Sequence, residues 1–168
     1  MSAEPSNGTG QALEPGQRQG PGEAVAETLA DFRFEAVLAA VKAARGDVLI
    51  GAHLTLQLAR HVLVIAMLLR DRDAGTNHHL HGGSRWDQWA TRLAAAPTPY
   101  SRAGITATIR FYARTLDEIL ACWDPEAHLD SSLLLDLLSA VDLYGADEAS
   151  ASLPGTPQTP GFRRIPSA

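Results

Sequence analysis

The stretch that decides the fold is Val48-Leu49-Ile50-Gly51-Ala52-His53-Leu54-Thr55-Leu56-Gln57-Leu58-Ala59-Arg60-His61-Val62-Leu63-Val64-Ile65-Ala66-Met67-Leu68-Leu69-Arg70. It is apolar over most of a helical circumference, the pattern of a helix at the centre of a bundle. Four residues break it. His53, Gln57, Arg60 and His61 recur at i, i+4, i+7 and i+8, and so form one narrow polar stripe. A membrane span would carry that stripe into the hydrocarbon, which is costly. The expectation is therefore a buried core helix, with no membrane as partner.

On the N-terminal side, Arg45-Gly46-Asp47 interrupts the pattern. Gly46 suits the end of one helix, and Asp47 suits the N-cap of the next. The preceding helix is expected from Ala24 to Ala44, with Phe34, Val37, Leu38 and Val41 on its inner face. On the C-terminal side, Asp71 to Gly83 reads as a loop, punctuated by Gly75, Asn77, Gly82 and Gly83. Ser84 and Asp87 make an approximate capping box for a third helix carrying Trp86, Trp89 and Leu93, and Pro97-Thr98-Pro99 ends it. The clearest amphipathic stripe is Ile105, Ile109, Tyr112, Leu116, Ile119, Leu120 and Trp123, in a helix expected from Arg102 to Trp123. Asp124-Pro125 stops that helix. Asp130 or Ser131 caps a fifth, which ends near Tyr144 with Leu134, Leu137, Leu138 and Val141 facing inward.

Nothing alternates with period two for long enough to make a strand. The fold class is all-α, an antiparallel bundle of four to five helices over residues 24–144. Residues 1–23 and 145–168 are rich in Gly, Pro, Gln and Ser, and are expected to be disordered.

Composition excludes several functions. The 168 residues carry a formal net charge of −5, and Lys42 is the only lysine among fourteen basic residues. No basic block exists to hold a phosphate backbone, so no nucleic-acid partner is expected. The single Cys122 cannot form an internal disulfide or a Cys-based zinc site, and it is expected to pack beside Trp123 as a small apolar residue. The first 22 residues have neither the basic nor the apolar segment of a signal peptide, so the cytoplasm is the expected location. There is no P-loop and no Rossmann fingerprint. No cofactor is expected.

Two clusters could carry chemistry. Buried, the stripe of His53, Gln57, Arg60 and His61 would need partners. Arg60 would then pair with Glu35 or Asp117 in a satisfied network, or the stripe would floor a pocket for a polar small molecule or a partner domain. Asn77-His78-His79-Leu80-His81-Gly82-Gly83 places three imidazoles in a glycine-rich loop. It lacks an anchoring carboxylate at fixed spacing, so a loop that closes a site or an interface is expected rather than a metal centre. Asp71-Arg72-Asp73 reads as a solvated helix end, and an Arg72–His78 pair as a loose match to helical ribonuclease modules.

Three segments together resemble a known family: Asp31-Phe32-Arg33-Phe34-Glu35-Ala36, Arg45-Gly46-Asp47-Val48-Leu49, and Gly75-Thr76-Asn77-His78-His79 with Gly82-Gly83. Their order resembles the C-terminal helical domain of antibiotic-modifying bacterial nucleotidyltransferases of the polymerase-β-like superfamily. The resemblance covers about Ala30 to Val141. It implies a domain that binds the acceptor, of the aminoglycoside or lincosamide kind, with Glu35 and Asp47 nearest the site. The family's catalysis uses a Gly-Ser turn followed by an Asp-x-Asp on a strand that holds two magnesium ions. Here Gly83-Ser84 and Asp71-x-Asp73 occur in the opposite order and on no strand. The expectation is a stand-alone or truncated substrate-binding bundle, not catalytic alone, using Glu35, Asp47, His53, Gln57, Arg60, His78 and His79. Its partners would be a small polar molecule and a separate catalytic domain. The alternative is a helical interaction or dimerisation module, antitoxin-like, and less favoured is a ribonuclease-type toxin domain.

Overall fold

A computed structural model describes residues 21–75 and 85–151, with side chains over 22–75 and 85–144. It contains α1 (Pro21–Ala44), α2 (Val48–Asp73), a 3-10 turn (Arg85–Asp87), α3 (Gln88–Leu93), α4 (Arg102–Trp123) and α5 (Ser132–Ala151). Among the described residues there is no strand. The fold is an all-α helical bundle. Helix α1 packs on α2, α4 and α5, and α4 packs on α2 and α5. Helices α2 and α5 therefore occupy opposite corners. The 3-10 turn and α3 lie against α2.

The turn between α1 and α2 forms as its residues dictate. Gly46 takes φ 76°, a left-handed conformation that glycine adopts without steric cost. The N–H of Asp47 donates to Lys42 O at 3.0 Å, and that of Gly46 to Ala43 O at 3.1 Å. This pair of bonds closes the helix end as a Schellman motif. Asp47 then caps α2, its carboxylate accepting from Ile50 N–H.

Helix α1 turns a different face inward from the one its large residues suggest. Phe32, Ala36, Ala39, Ala40 and Ala43 are fully buried, while Phe34 is 71% exposed and Val37 is also exposed. Leu38 and Val41 are half-buried. The alanine face lets α1 approach its neighbours closely. A Cβ on Gly51 of α2 would stand 3.4 Å from both Ala39 O and Ala43 N. Bulky side chains at those positions would hold the helices apart, so the small face wins the interior.

Helix α4 matches its expected bounds and its expected stripe. Ile105, Ile109, Tyr112, Leu116, Ile119 and Leu120 are all buried, and Trp123 is half-buried. Ser101 caps its start, accepting from Gly104 N–H at 3.0 Å. Asp124 is extended, as the residue before a proline tends to be. Three buried threonines bond the carbonyl one turn back: Thr55 donates to Gly51 O, Thr115 to Phe111 O, and Thr108 to Gly104 O.

Other expectations shift. Helix α1 starts at Pro21, since proline is well suited to a first helical position. The third helix is a 3-10 turn plus six residues of α3, and Ser84 lies outside the described residues. Helix α5 continues to Ala151, because Ala146 to Ala151 are tolerated in a helix and Gly145 alone does not stop it. Cys122 is exposed rather than packed inside, since it falls off the Ile119–Leu120–Trp123 face of α4.

Candidate functional site

The residues expected to form a pocket do not converge. His53, Gln57, Arg60 and His61 fan over about 100° of the rim of α2. His53 and Arg60 are exposed, while Gln57 and His61 are half-buried. His61 Nε2 lies 3.0 Å from Glu35 Oε2 of α1, across the interhelical seam. Gln57 Nε2 lies 3.2 Å from His53 Nε2 on the outside. Arg60 pairs with neither expected partner. Glu35 is engaged by His61, and the Asp117 carboxylate accepts from Leu129 N–H at 2.7 Å. Asp47 caps α2 and stands 3.5 Å from Lys42. His78 and His79 lie outside the described residues. Among the described residues no three His, Cys, Asp or Glu side chains gather as a metal site would require.

The end of α2 is exposed over Arg72 to Gly75, but its charged side chains are engaged rather than free. The Asp73 carboxylate accepts from Trp86 Nε1–H at 2.8 Å and from the Arg85 guanidinium at 2.7 Å. The Trp86 indole N–H, and behind it Arg85, hold this carboxyl below its ordinary range against the opposing effect of burial. Arg72 stacks over the Trp123 ring at 4.9 Å, tying the same end to α4. Asp71 is buried beside Arg70, at 3.5 Å. Of the acidic pair expected in solvent, Asp73 instead anchors the 3-10 turn and Asp71 is buried.

That anchoring shapes a cavity of about 260 Å³ between the end of α2 and the 3-10 turn and α3. Leu63, Ala66, Met67, Arg70, Trp86, Asp87 and Ala90 line it. Its walls are apolar apart from Arg70 and Asp87. A shallower cavity of about 440 Å³ lies beside α3 over the Arg92–Glu118 ion pair, where N and O are 2.5 Å apart.

The outer face of α2 leads into the first cavity. Leu49 is 83% exposed, Leu56 48% and Leu63 36%. With His53, Arg60 and Met67 they recur at intervals of 4, 3, 4, 3 and 4 residues, the spacing of a two-helix seam. Helix α2 has the length and composition of a membrane span, with mean hydropathy 1.6, yet only 33% of its apolar window is buried. The helix expected at the centre is thus half outside. The 4-3 row was legible in the sequence, but apolar residues on every side of α2 masked it. Elsewhere, Leu133 and Leu135 of α5 are exposed, whereas Trp86 and Trp89 are buried. Leu143 and Tyr144 of α5 are exposed as well, but none of the cavities described above opens beside the α5 residues Asp136, Ser139 and Asp142. Compared with protein-family models, curated proteins and solved structures, the chain matches none.

Proposed function

We propose that this chain is a helical interaction module that works as a dimer, with the outer face of α2 buried against a second copy. The observation that carries this reading is the row of exposed Leu49, Leu56 and Leu63, continued by half-buried Met67, at two-helix spacing. Exposed leucines in such a row, with His53 and Arg60 between them, are costly to leave in water, and clustered apolar surface of this kind marks association sites. A membrane is a poorer cover. It would take Arg60, which makes no ion pair among the described residues, into hydrocarbon at a cost of about 2.5–3.5 kcal/mol or more. Against another helix the Arg60 stem packs on apolar neighbours and its head reaches water. An acceptor-binding bundle of the nucleotidyltransferase kind would need Glu35 and Asp47 available. Here His61 engages the first, and Ile50 N–H with Lys42 engages the second.

Light scattering across a dilution series tests the reading. The full chain is expected to fall from dimer to monomer mass as it is diluted. Leu56→Glu with Leu63→Glu should be monomeric throughout, with unchanged helical circular dichroism. A wild-type chain that stays monomeric at every concentration would overturn the proposal.

A further inference from the structure

We infer that the apolar cavity at the C-terminal end of α2 is the receptor for Leu49 of the second copy, within an antiparallel pair of α2 helices. This rests on the dimer reading above and specifies its geometry. Three observations lead to it.

The first is the symmetry of the row. Leu49, His53, Leu56, Arg60, Leu63 and Met67 are spaced 4-3-4-3-4, and the series reads the same backwards. A two-fold axis level with Leu58 sets Leu49 against Met67, His53 against Leu63, and Leu56 against Arg60. Each pair is apolar, or apolar against a long stem or a ring. A parallel pair would set Arg60 on Arg60 and His53 on His53, and would align the two helix dipoles.

The second is the match between knob and hole. Leu49 projects from the first turn of α2 at 83% exposure among the described residues. Met67, its antiparallel counterpart, lines the cavity with Leu63, Ala66, Trp86 and Ala90. The two positions are 18 residues apart, about 27 Å along the helix. The volume, about 260 Å³, is ample for a leucine side chain. A dry apolar cavity of about 150 Å³ is enough to hold benzene. Because the interface is isologous, each copy gives one knob and one hole, and the contact closes at two chains.

The third is charge. In this register Asp47 of one copy comes level with Leu69 of the other, next to Arg70, whose side chain lines the cavity. At both ends of the pair Asp47 therefore approaches the guanidinium of Arg70, which also stands 3.5 Å from Asp71, on the rim of a cavity that Asp87 lines as well. The parallel arrangement puts Asp47 beside Asp47.

Disulfide trapping tests the inference. In a Cys122→Ser background, which removes the exposed native thiol, Leu49→Cys and Met67→Cys are prepared as separate full-length chains. A disulfide needs Cα atoms within about 7 Å. The mixed sample is expected to give an intermolecular disulfide on mild oxidation, and neither chain alone should do so. Leu49→Ala should raise the dimer dissociation constant roughly tenfold or more, because each dimer loses two knobs. Cross-linking of each chain with itself, with no disulfide between the two different variants in the mixture, would show a parallel pair and overturn the inference. A dimer by light scattering with no cross-link in any sample would overturn it while sparing the dimer. A monomer would sink both.

Discussion

Helices α2 and α4 are of similar length and both rich in aliphatic residues, but they differ in how the bundle treats them. Helix α4 keeps its large apolar residues on one side, where all are buried or half-buried, and carries Arg110, Arg114 and Glu118 on the other. One face of α4 is satisfied by the core and the other by water. Helix α2 buries Leu58, Val62, Ile65 and Leu69 equally well, and then presents Leu49, Leu56 and Leu63 to solvent. A corner helix has neighbours on one side only. Apolar residues beyond that side exceed what the described residues cover, and here they fall into a row. Hydrophobicity thus states that a helix will be covered. It does not state by what.

The sharpest way to break this contrast is to truncate one leucine on each helix. Leu116→Ala in α4 removes a fully buried side chain and should cost about 2–5 kcal/mol in urea unfolding. Leu56→Ala in α2, measured at concentrations where the chain is monomeric, should change stability by no more than about 1 kcal/mol. A comparable loss at both positions would mean that the outer face of α2 is covered within the monomer.

A smaller loss is expected where α4 begins. A Cβ on Gly104 would collide with the carbonyl oxygen of Thr98, a backbone atom that cannot swing aside. Gly104→Ala should cost about 1–3 kcal/mol in the same experiment, and an unchanged midpoint would show that the loop before α4 yields freely.

The smallest effect concerns the wall of the cavity at the end of α2. The carboxyl of Asp73 titrates below its ordinary value of 3.8 in the fold. The stability it contributes is therefore complete above that value and is lost as pH falls through the lower, folded one. Tryptophan fluorescence followed from about pH 5 to about pH 2 should report release of the 3-10 turn in the wild type. Asp73→Asn should remove that step. Because Asp73 is largely exposed, the change in global stability should be slight. A step that persists in Asp73→Asn would assign it to another carboxylate.

Much of the fold was legible in the residues. Asp124-Pro125 marks the end of α4, and Gly46 and Asp47 mark the turn before α2, because caps and stops act through local backbone chemistry. The inner face of α1 was not legible. Phe34, Val37, Leu38 and Val41 have helical spacing, and so do Phe32, Ala36, Ala39 and Ala43. Periodicity cannot choose between two such stripes; the closeness of α2 does, and it favours alanine. The candidate site was less legible still. His53, Gln57, Arg60 and His61 are polar residues on an apolar helix, and they draw attention as a would-be pocket. Their fates depend on the neighbour each meets: Glu35 for His61, open solvent for Arg60.

The sequence by itself determined that this chain is helical, roughly where its helices begin and end, and that α2 is too apolar to stand in water unaccompanied. Those properties follow from side chains and backbone within a few residues of one another. Only the tertiary structure decided which side of α2 the chain covers and which it leaves out. It also decided that Asp73 would hold Trp86 as one wall of a cavity, and that the uncovered leucines would line up towards it. These outcomes depend on residues far apart in sequence packing at particular distances, which local patterning does not encode.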